Sequence, residues 1–289
     1  MGGRFPRRLS KGGALSAPDT ATRKADLADS LPWWRDPVPD RALDKYLQMR
    51  GSEYFRHSMA TAKKSIPRPS HEQARALDYG CGGGELTVYL AKLGYAVTAC
   101  DSSTASLGAC REHVRIEGIG PSVEFIHNEA PDYWKGLHSS FDLIVAKDVI
   151  EHIREDEAFV HAASAHLRKC GVLVLITQNN CSWNYHLEAP KMRALDPHWC
   201  GWHPEEHIRF YNKPTLCRLL NSAGLKPVAW RAVYLIPYRA FTGYLARKLR
   251  NAVDKAFGEG AFYWPERLVG SLPPFHGWGW SIQVKAVKS

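Results

Sequence analysis

The segment that most constrains the fold is a run of glycines at alternate positions, Gly80, Gly82 and Gly84, after a short apolar stretch that contains Asp78. Glycine lets a backbone turn tightly and approach a ligand closely, and a helix that begins after such a turn presents unpaired N–H groups. The spacing therefore predicts a βα unit whose connecting turn cradles a ligand. Asp101 follows the next predicted strand, where a carboxylate can accept hydrogen bonds from both hydroxyls of a ribose.

Acidic side chains around this turn favour a cationic ligand over a dinucleotide. A dinucleotide-binding turn reads GxGxxG, whereas this one reads DxGxGxG and has Glu85 at the position of the last glycine. Asp78 and Glu85 would repel a pyrophosphate, while Asp78 can meet the ammonium group of an amino acid. We therefore expect a positively charged nucleoside, with an NAD-dependent oxidoreductase as the alternative.

Apolar stretches alternate with amphipathic ones from residue 75 onward, which predicts an α/β fold with a doubly wound, mostly parallel sheet and helices on both faces. The predicted strands are Ala76–Tyr79, Ala96–Cys100, Val123–Ile126, Phe141–Ala146, Gly171–Thr177, Pro227–Val233 and Trp280–Val287. We divide the chain into a disordered basic tail (1–30), an N-terminal helical cap (31–74) with a helix around Asp44–Lys63, a core (75–237), a helical and aromatic insertion (238–279) and a final core strand (280–289).

The stretch from Leu77 to Ser102 resembles motif I, and the acidic strand end that follows it, of class I S-adenosylmethionine-dependent methyltransferases. Phe141–Ile153 resembles their fourth strand with its trailing loop, and Gly171–Thr177 resembles their fifth strand. The resemblance is strongest to the quinone-pathway O-methyltransferases. It implies a Rossmann-like sheet of seven strands with the last one antiparallel. The cofactor-binding residues that it implies are Asp78, Gly80, Gly82, Gly84, Asp101, Ser102, Asn128, Glu129 and Lys147.

Acidic and imidazole side chains follow the predicted fourth strand, at Asp148, Glu151 and His152, and His207 lies downstream. If the loop leads into a helix, residues 148, 151 and 152 share one face. With His207 they could then hold a divalent cation such as Mg²⁺, which would lower the pKa of a substrate hydroxyl. The alternative is a packing pair without metal, in which His152 or His207 serves as the general base. Quinone-pathway and small-RNA 2′-O-methyltransferases have a similar loop, with Glu at the position of Asp148.

An amphipathic, basic helix is predicted over Tyr238–Phe257. Its apolar residues recur every four positions, at Phe241, Leu245, Leu249, Val253 and Phe257. Such a helix can lie on an anionic bilayer, or it can pack its apolar stripe on the core as a lid beside the substrate. We expect peripheral membrane contact through residues 238–264 as one outcome, and a packed lid as the other.

Charge and cysteine content narrow the functional classes. The net charge of +9 comes from residues 1–25 and 239–257, so a protein-wide nucleic-acid surface is not indicated. The seven cysteines form no CxxC pair, which is typical of reduced thiols in a cytoplasmic protein. The basic residues of the tail also fit a mitochondrial transit peptide. We expect methyl transfer to a heteroatom, preferably oxygen, of a small phenolic or lipid-like acceptor, with an RNA 2′-O-methyltransferase as the alternative.

Overall fold

The computed structural model describes residues 39–128, 134–137, 140–195, 207–235, 244–258 and 261–289. Its strands are β1 (Arg75–Tyr79), β2 (Ala96–Asp101), β3 (Val123–His127), β4 (Phe141–Lys147), β5 (Leu167–Gln178), β6 (Leu225–Val233) and β7 (Ser281–Lys288). Its helices are α1 (Pro39–Arg50), α2 (Glu53–Ser65), α3 (Glu85–Leu93), α4 (Thr104–Ile116), α5 (Asp156–His166), α6 (Trp183–Leu195), α7 (Lys213–Ser222), α8 (Tyr244–Phe257) and α9 (Trp264–Val269).

The strands form one seven-stranded sheet in the order β3-β2-β1-β4-β5-β7-β6. All neighbouring pairs are parallel except those of β7, which runs antiparallel to both β5 and β6. The predicted Rossmann-like fold is therefore confirmed. The strand order reverses between β1 and β4, and in open α/β sheets the ligand crevice lies at the carboxyl ends of the strands at this point.

Both faces of the sheet are covered, which explains the continuous apolar runs in its central strands. Leu77 and Ile144 pack with α5 and α7 on one face. Ala76 and Val145 pack with α2 and α3 on the other face. Successive residues of a strand thus supply opposite cores, and the carboxyl ends of the strands remain available for a site.

Two predicted boundaries differ from the structure. The predicted helix around Asp44–Lys63 is two helices, because the chain turns at Gly51 and Ser52 caps the second one by accepting a hydrogen bond from Phe55 N at 3.2 Å. Strand β5 begins at Leu167 rather than Gly171. The pairing of β4 with β5 shifts register after Phe141, which leaves a polar bulge on β5 that hid the start of the strand.

Candidate active site

The glycine turn after β1 requires its glycines. Gly80, Gly82 and Gly84 have φ values of 71°, 52° and 83°, a region that other residues rarely adopt. The N–H groups of Gly80 and of the next residue both donate to the carbonyl oxygen of Cys100 at 2.9 Å, which ties the turn to β2. A Cβ atom on Gly80 would lie 2.4 Å from Cγ2 of Val149, so the loop after β4 rests directly on the turn.

Tyr46 of α1 also covers this turn, at Gly83. A Cβ atom on Gly83 would lie 2.1 Å from the ring of Tyr46, which is buried. Burial raises the pKa of Tyr46 well above its ordinary value, so the phenol stays neutral. Sequence reasoning missed this residue, because nothing in the spacing of α1 relates it to a turn 37 positions later.

Asp101 lies at the end of β2, as predicted, and braces the glycine turn. Its Oδ2 accepts a hydrogen bond from Gly82 N, and its Oδ1 accepts one from Ser103 N, each at 2.9 Å. Burial raises its pKa, and these two hydrogen bonds oppose the shift. Each carboxylate oxygen has a second lone pair, so the two backbone bonds leave acceptor capacity for a ribose diol.

Asp78 is buried beneath the turn, where its Oδ2 accepts a hydrogen bond from the hydroxyl of Thr87 at 2.6 Å. Burial raises its pKa to about 6. Near neutral pH the group is ionised and supplies negative charge behind the glycines. Its predicted contact with a ligand ammonium group stays a prediction.

Glu85 does not have the role predicted for it, which was to repel a pyrophosphate. Its carboxylate forms ion pairs with Arg50 at 2.9 Å and with Lys63 at 2.7 Å, and so it joins α3 to the N-terminal helices. Because Arg50 and Lys63 neutralise its charge, only Asp78 of the two acids disfavours a pyrophosphate at the turn.

The remaining predicted cofactor residues lie along the same strand ends. Asn128 is buried and donates its backbone N–H to the carbonyl of Asp101 at 3.3 Å. Ser102 lies beside Asp101, and its carbonyl oxygen is 3.0 Å from Nε2 of His127. Glu129 lies outside the described residues.

The acid–imidazole cluster predicted after β4 forms, with three members. The ligand atoms of Glu151, His152 and His207 all lie within 4.8 Å of one another. The backbone joins the two segments, since Ile208 N donates to the carbonyl of Glu151 at 2.8 Å. Glu151 is fully buried: its Oε2 accepts a hydrogen bond from Thr177 at 2.8 Å, whereas its Oε1 has no hydrogen-bond partner among the described residues.

Asp148 does not share a helical face with this cluster, contrary to the prediction. Residues 150–152 form a single 3₁₀ turn, and Asp148 precedes it with a φ of 54°. Its carboxylate is half-exposed and pairs with Nζ of Lys147. Burial, and then the charge of Asp148, raise the pKa of Glu151, which favours its protonated form unless a cation compensates. Both Lys147 and Asp148 are thus occupied with each other.

Comparison with known proteins identifies the family. A family model described as a methyltransferase domain matches residues 44–229. The chain belongs to this methyltransferase family. The ubiquinone biosynthesis O-methyltransferase of Methylocella silvestris is 32% identical over 203 residues, which are 67% of this chain and 76% of that protein. That of Idiomarina loihiensis is 28% identical over 58% of this chain and 68% of its own length.

Solved structures agree on the fold. The magnesium protoporphyrin IX methyltransferase of Synechocystis PCC 6803, with bound S-adenosylhomocysteine, superposes with a TM-score of 0.56 at 14% identity, covering 88% of this chain and 98% of that one. The methyltransferase is accordingly a class I enzyme that uses S-adenosylmethionine. Family membership removes the NAD-dependent oxidoreductase alternative.

An apolar pocket of about 230 Å³ lies beside the last strands of the methyltransferase, at the carboxyl ends of β5 and β6. Apart from Glu266, its walls are Trp183, Leu235, Pro265, Val269, Phe275 and Trp278. The carboxyl ends of parallel strands lie at the same end of the sheet. This pocket therefore lies at the same end of the sheet as the glycine turn.

Glu266 links three parts of the methyltransferase and was missed by sequence reasoning. Its Oε1 accepts a hydrogen bond from Tyr234 N at 2.6 Å and lies 2.7 Å from Nε2 of His57 in α2. Its Oε2 accepts one from Leu235 N at 2.9 Å. The His57 ring stacks on Tyr263 with centroids 4.3 Å apart. One buried carboxylate therefore holds α2, the end of β6 and α9 together beside the pocket.

Proposed function

We propose that this methyltransferase transfers the methyl group of S-adenosylmethionine to a hydroxyl oxygen of a small phenolic or lipid-like acceptor. The observation that carries the proposal is the contact of Val149 with Gly80, because it sets the cluster of Glu151, His152 and His207 directly beside the glycine turn. The names of the related O-methyltransferases support an oxygen acceptor. The apolar pocket supports an acceptor with an apolar body.

The chemistry needs alignment and one proton transfer. The acceptor oxygen attacks the methyl carbon as the bond from that carbon to the sulfonium sulfur breaks, which leaves a neutral thioether. The acceptor hydroxyl loses its proton, which we assign to His152 or His207 when no cation is bound to them. Binding both substrates in line supplies most of the remaining acceleration.

A divalent cation is the alternative to a histidine base, because an imidazole nitrogen that binds a cation cannot also accept the proton. Glu151, His152 and His207 offer one carboxylate and two imidazole ligands, and the unpartnered Oε1 of Glu151 fits a cation. A site made of carboxylate and imidazole ligands binds Mg²⁺ less tightly than Mn²⁺ or Zn²⁺. A bound cation would supply a positive charge that lowers the pKa of the acceptor hydroxyl.

Chelation is expected to abolish most of the activity, and the added cation to restore it. Thr177→Val, which removes the hydroxyl that orients Glu151, should weaken cation binding by about 10–100-fold, as is usual for a lost partner of a metal ligand. Activity against cation concentration after exhaustive chelation checks both results. Full activity in the presence of the chelator would exclude a role for a cation and favour a histidine as the general base.

Asp101→Asn is expected to weaken S-adenosylmethionine binding by about 1.5–3 kcal/mol, the contribution of hydrogen bonds to a charged acceptor. Asparagine is chosen over alanine because Asp101 also braces Gly82 and Ser103. Titration calorimetry measures the dissociation constant, and Glu157→Gln, an exposed change on α5, is the control. An unchanged dissociation constant would reject the ribose contact.

We also propose that α8 docks on membranes. Leu249 and Phe257, on the predicted apolar stripe, are 54% and 81% exposed, so these two side chains do not pack on the core, whereas Val253 between them is half-buried. Phe241 and the side chain of Leu245 lie outside the described residues. Within the described part of the chain no helix is long and apolar enough to cross a bilayer.

Replacing Leu249 and Phe257 with serine is expected to release the enzyme from anionic vesicles without lowering its melting temperature, since both side chains already face solvent. Binding of the unaltered enzyme should fade as salt rises, because salt screens surface attraction. Vesicle sedimentation and thermal unfolding measure the two effects. A large drop in melting temperature would show instead that the stripe is packed.

The acceptor class is tested by labelled methyl transfer to cell extract that has been separated into lipid, small-molecule and RNA fractions. Label in a base-stable phenolic ether from the first two fractions supports the proposal. Label in RNA would support the RNA 2′-O-methyltransferase alternative. We disfavour that alternative because the excess positive charge of the chain lies in only two segments.

A further inference from the structure

Three cationic side chains meet at the β6 edge of the sheet, away from the residues assigned to methyl transfer. Lys64 comes from the end of α2, Arg231 from β6 and Arg267 from α9. The pKa of Lys64 is lowered by burial and then by the charges of Arg231 and Arg267, so Lys64 lies close enough to each of the two arginines to be repelled by it.

The backbone and Gln283 fix this convergence. Gln283 is the direct partner of Arg231 across the β6–β7 pair, so their side chains lie on the same face of the sheet. Ser65, next to Lys64, donates a hydrogen bond to Oε1 of Gln283 at 2.9 Å, which places the end of α2 on that face. Ala232 N donates to the carbonyl of Gly270 at 2.7 Å, which ties the end of α9 to the strand.

The cluster contains buried donors that lack acceptors. Nε of Arg267 and Nε2 of Gln283 are buried without a hydrogen-bond partner among the described residues, and Gln283 is only 1% exposed. No carboxylate of the described chain forms an ion pair with Lys64, Arg231 or Arg267. Buried donors are almost always satisfied, so this arrangement is incomplete as it stands.

We propose that Lys64, Arg231, Arg267 and Gln283 form a binding site for a phosphate-type oxyanion. Guanidinium groups match the geometry of phosphate oxygens in pairs of hydrogen bonds, and the lysine adds a point charge. Three positive charges and an amide donor, with no acid paired to them in the described ranges, suit a doubly charged, multi-oxygen group better than a single carboxylate. The site lies outside the cofactor turn and the acid–imidazole cluster.

Two sources of such a group exist: a free phosphate or phosphorylated metabolite, and the headgroup of an anionic lipid. Trp264 and Leu268, which flank Arg267 on α9, are 61% and 54% exposed, so a lipid headgroup could reach the site while its chains meet these side chains. The chemistry recognised is the same for both sources.

Thermal unfolding of the full chain in sodium phosphate and in sodium chloride at equal ionic strength tests the site. We expect a saturable rise in melting temperature with phosphate. Lys64→Gln and the double variant Arg231→Gln/Arg267→Gln should need about tenfold more phosphate for half of the rise, the factor expected for one lost charge-assisted hydrogen bond. In chloride the double variant should melt at or above the temperature of the unaltered protein, because removing the two arginines relieves their repulsion of Lys64.

Lys226→Gln/Arg218→Gln is the matched control, since it removes two exposed positive charges elsewhere. It should keep the phosphate response, which separates the site from a general effect of salt on protein stability. No saturable rise, or the same half-maximal concentration in the control and in both test variants, would overturn the site. If the double variant does not fold, Lys64→Gln decides, because Lys64 is exposed.

Sedimentation with vesicles of phosphatidylglycerol and phosphatidylcholine distinguishes the two sources. A lipid headgroup is the source if the double variant loses more vesicle binding than the control does. A free phosphate compound is the source if vesicle binding is equal in the two and the phosphate response still differs.

Discussion

Replacing Glu266 with alanine is expected to lower the free energy of unfolding by about 3–5 kcal/mol, the usual effect of removing one partner from a buried, hydrogen-bonded pair. The carboxylate is 3% exposed and serves two backbone N–H groups, of Tyr234 and Leu235, as well as the ring of His57. Its loss leaves those donors without the acceptor that satisfies them.

Urea denaturation measures this effect, with Glu266→Gln and Glu157→Ala as controls. Glutamine keeps the shape and one acceptor oxygen, so Glu266→Gln should lower the free energy of unfolding by less, about 1–3 kcal/mol. Glu157 is exposed on α5, and its removal should change stability by less than about 0.5 kcal/mol. If Glu266→Ala were as stable as Glu157→Ala, the carboxylate would not be what joins α2 to α9.

The parts of this molecule that sequence reasoning recovered are those encoded locally. The glycine turn, the strand ending at Asp101 and the apolar runs of the parallel strands each depend on a few consecutive residues. The turn conformation requires glycines, and burial on two faces requires continuous apolar residues, so both features can be recognised in a short stretch of sequence. The antiparallel last strand came from family resemblance, because alternation alone does not give strand direction.

Contacts between distant segments could not be predicted. His57 and Glu266 are 209 positions apart, and neither stands in a recognisable motif. The available signal was weak: an acid within the aromatic stretch 261–269. Glu85 was misjudged for the same reason, since its partners Arg50 and Lys63 come from helices that only the fold brings near.

The Asp148 error has a different cause. Helical spacing was applied to a loop whose backbone takes a positive φ at Asp148 before a single 3₁₀ turn. Three of the four predicted residues still converge, because the hydrogen bond between Ile208 N and the carbonyl of Glu151 brings His207 to the cluster. Residue type identified three side chains that do meet, whereas assumed helical periodicity placed Asp148 among them wrongly.

Gly80→Ala is expected to weaken S-adenosylmethionine binding by about 100-fold or more. Two effects combine: a left-handed backbone costs a non-glycine residue about 1–2 kcal/mol, and the new Cβ would lie 2.4 Å from Cγ2 of Val149. Either the turn or the loop after β4 must move, and that loop leads directly to Glu151 and His152. Calorimetry should show the lost affinity, and single-turnover kinetics a slower methyl transfer at saturating cofactor.

Two further variants separate the two effects. Gly118→Ala has the same kind of backbone, with a φ of 69° and no atom within 4 Å of its Cβ, so it should lose stability but bind the cofactor normally. Val149→Ala removes the colliding methyl group, so combining it with Gly80→Ala should recover part of the affinity, a coupling expected between residues in contact. If Val149→Ala gives no recovery, the contact between the turn and the loop does not control cofactor binding, and backbone strain alone explains the loss.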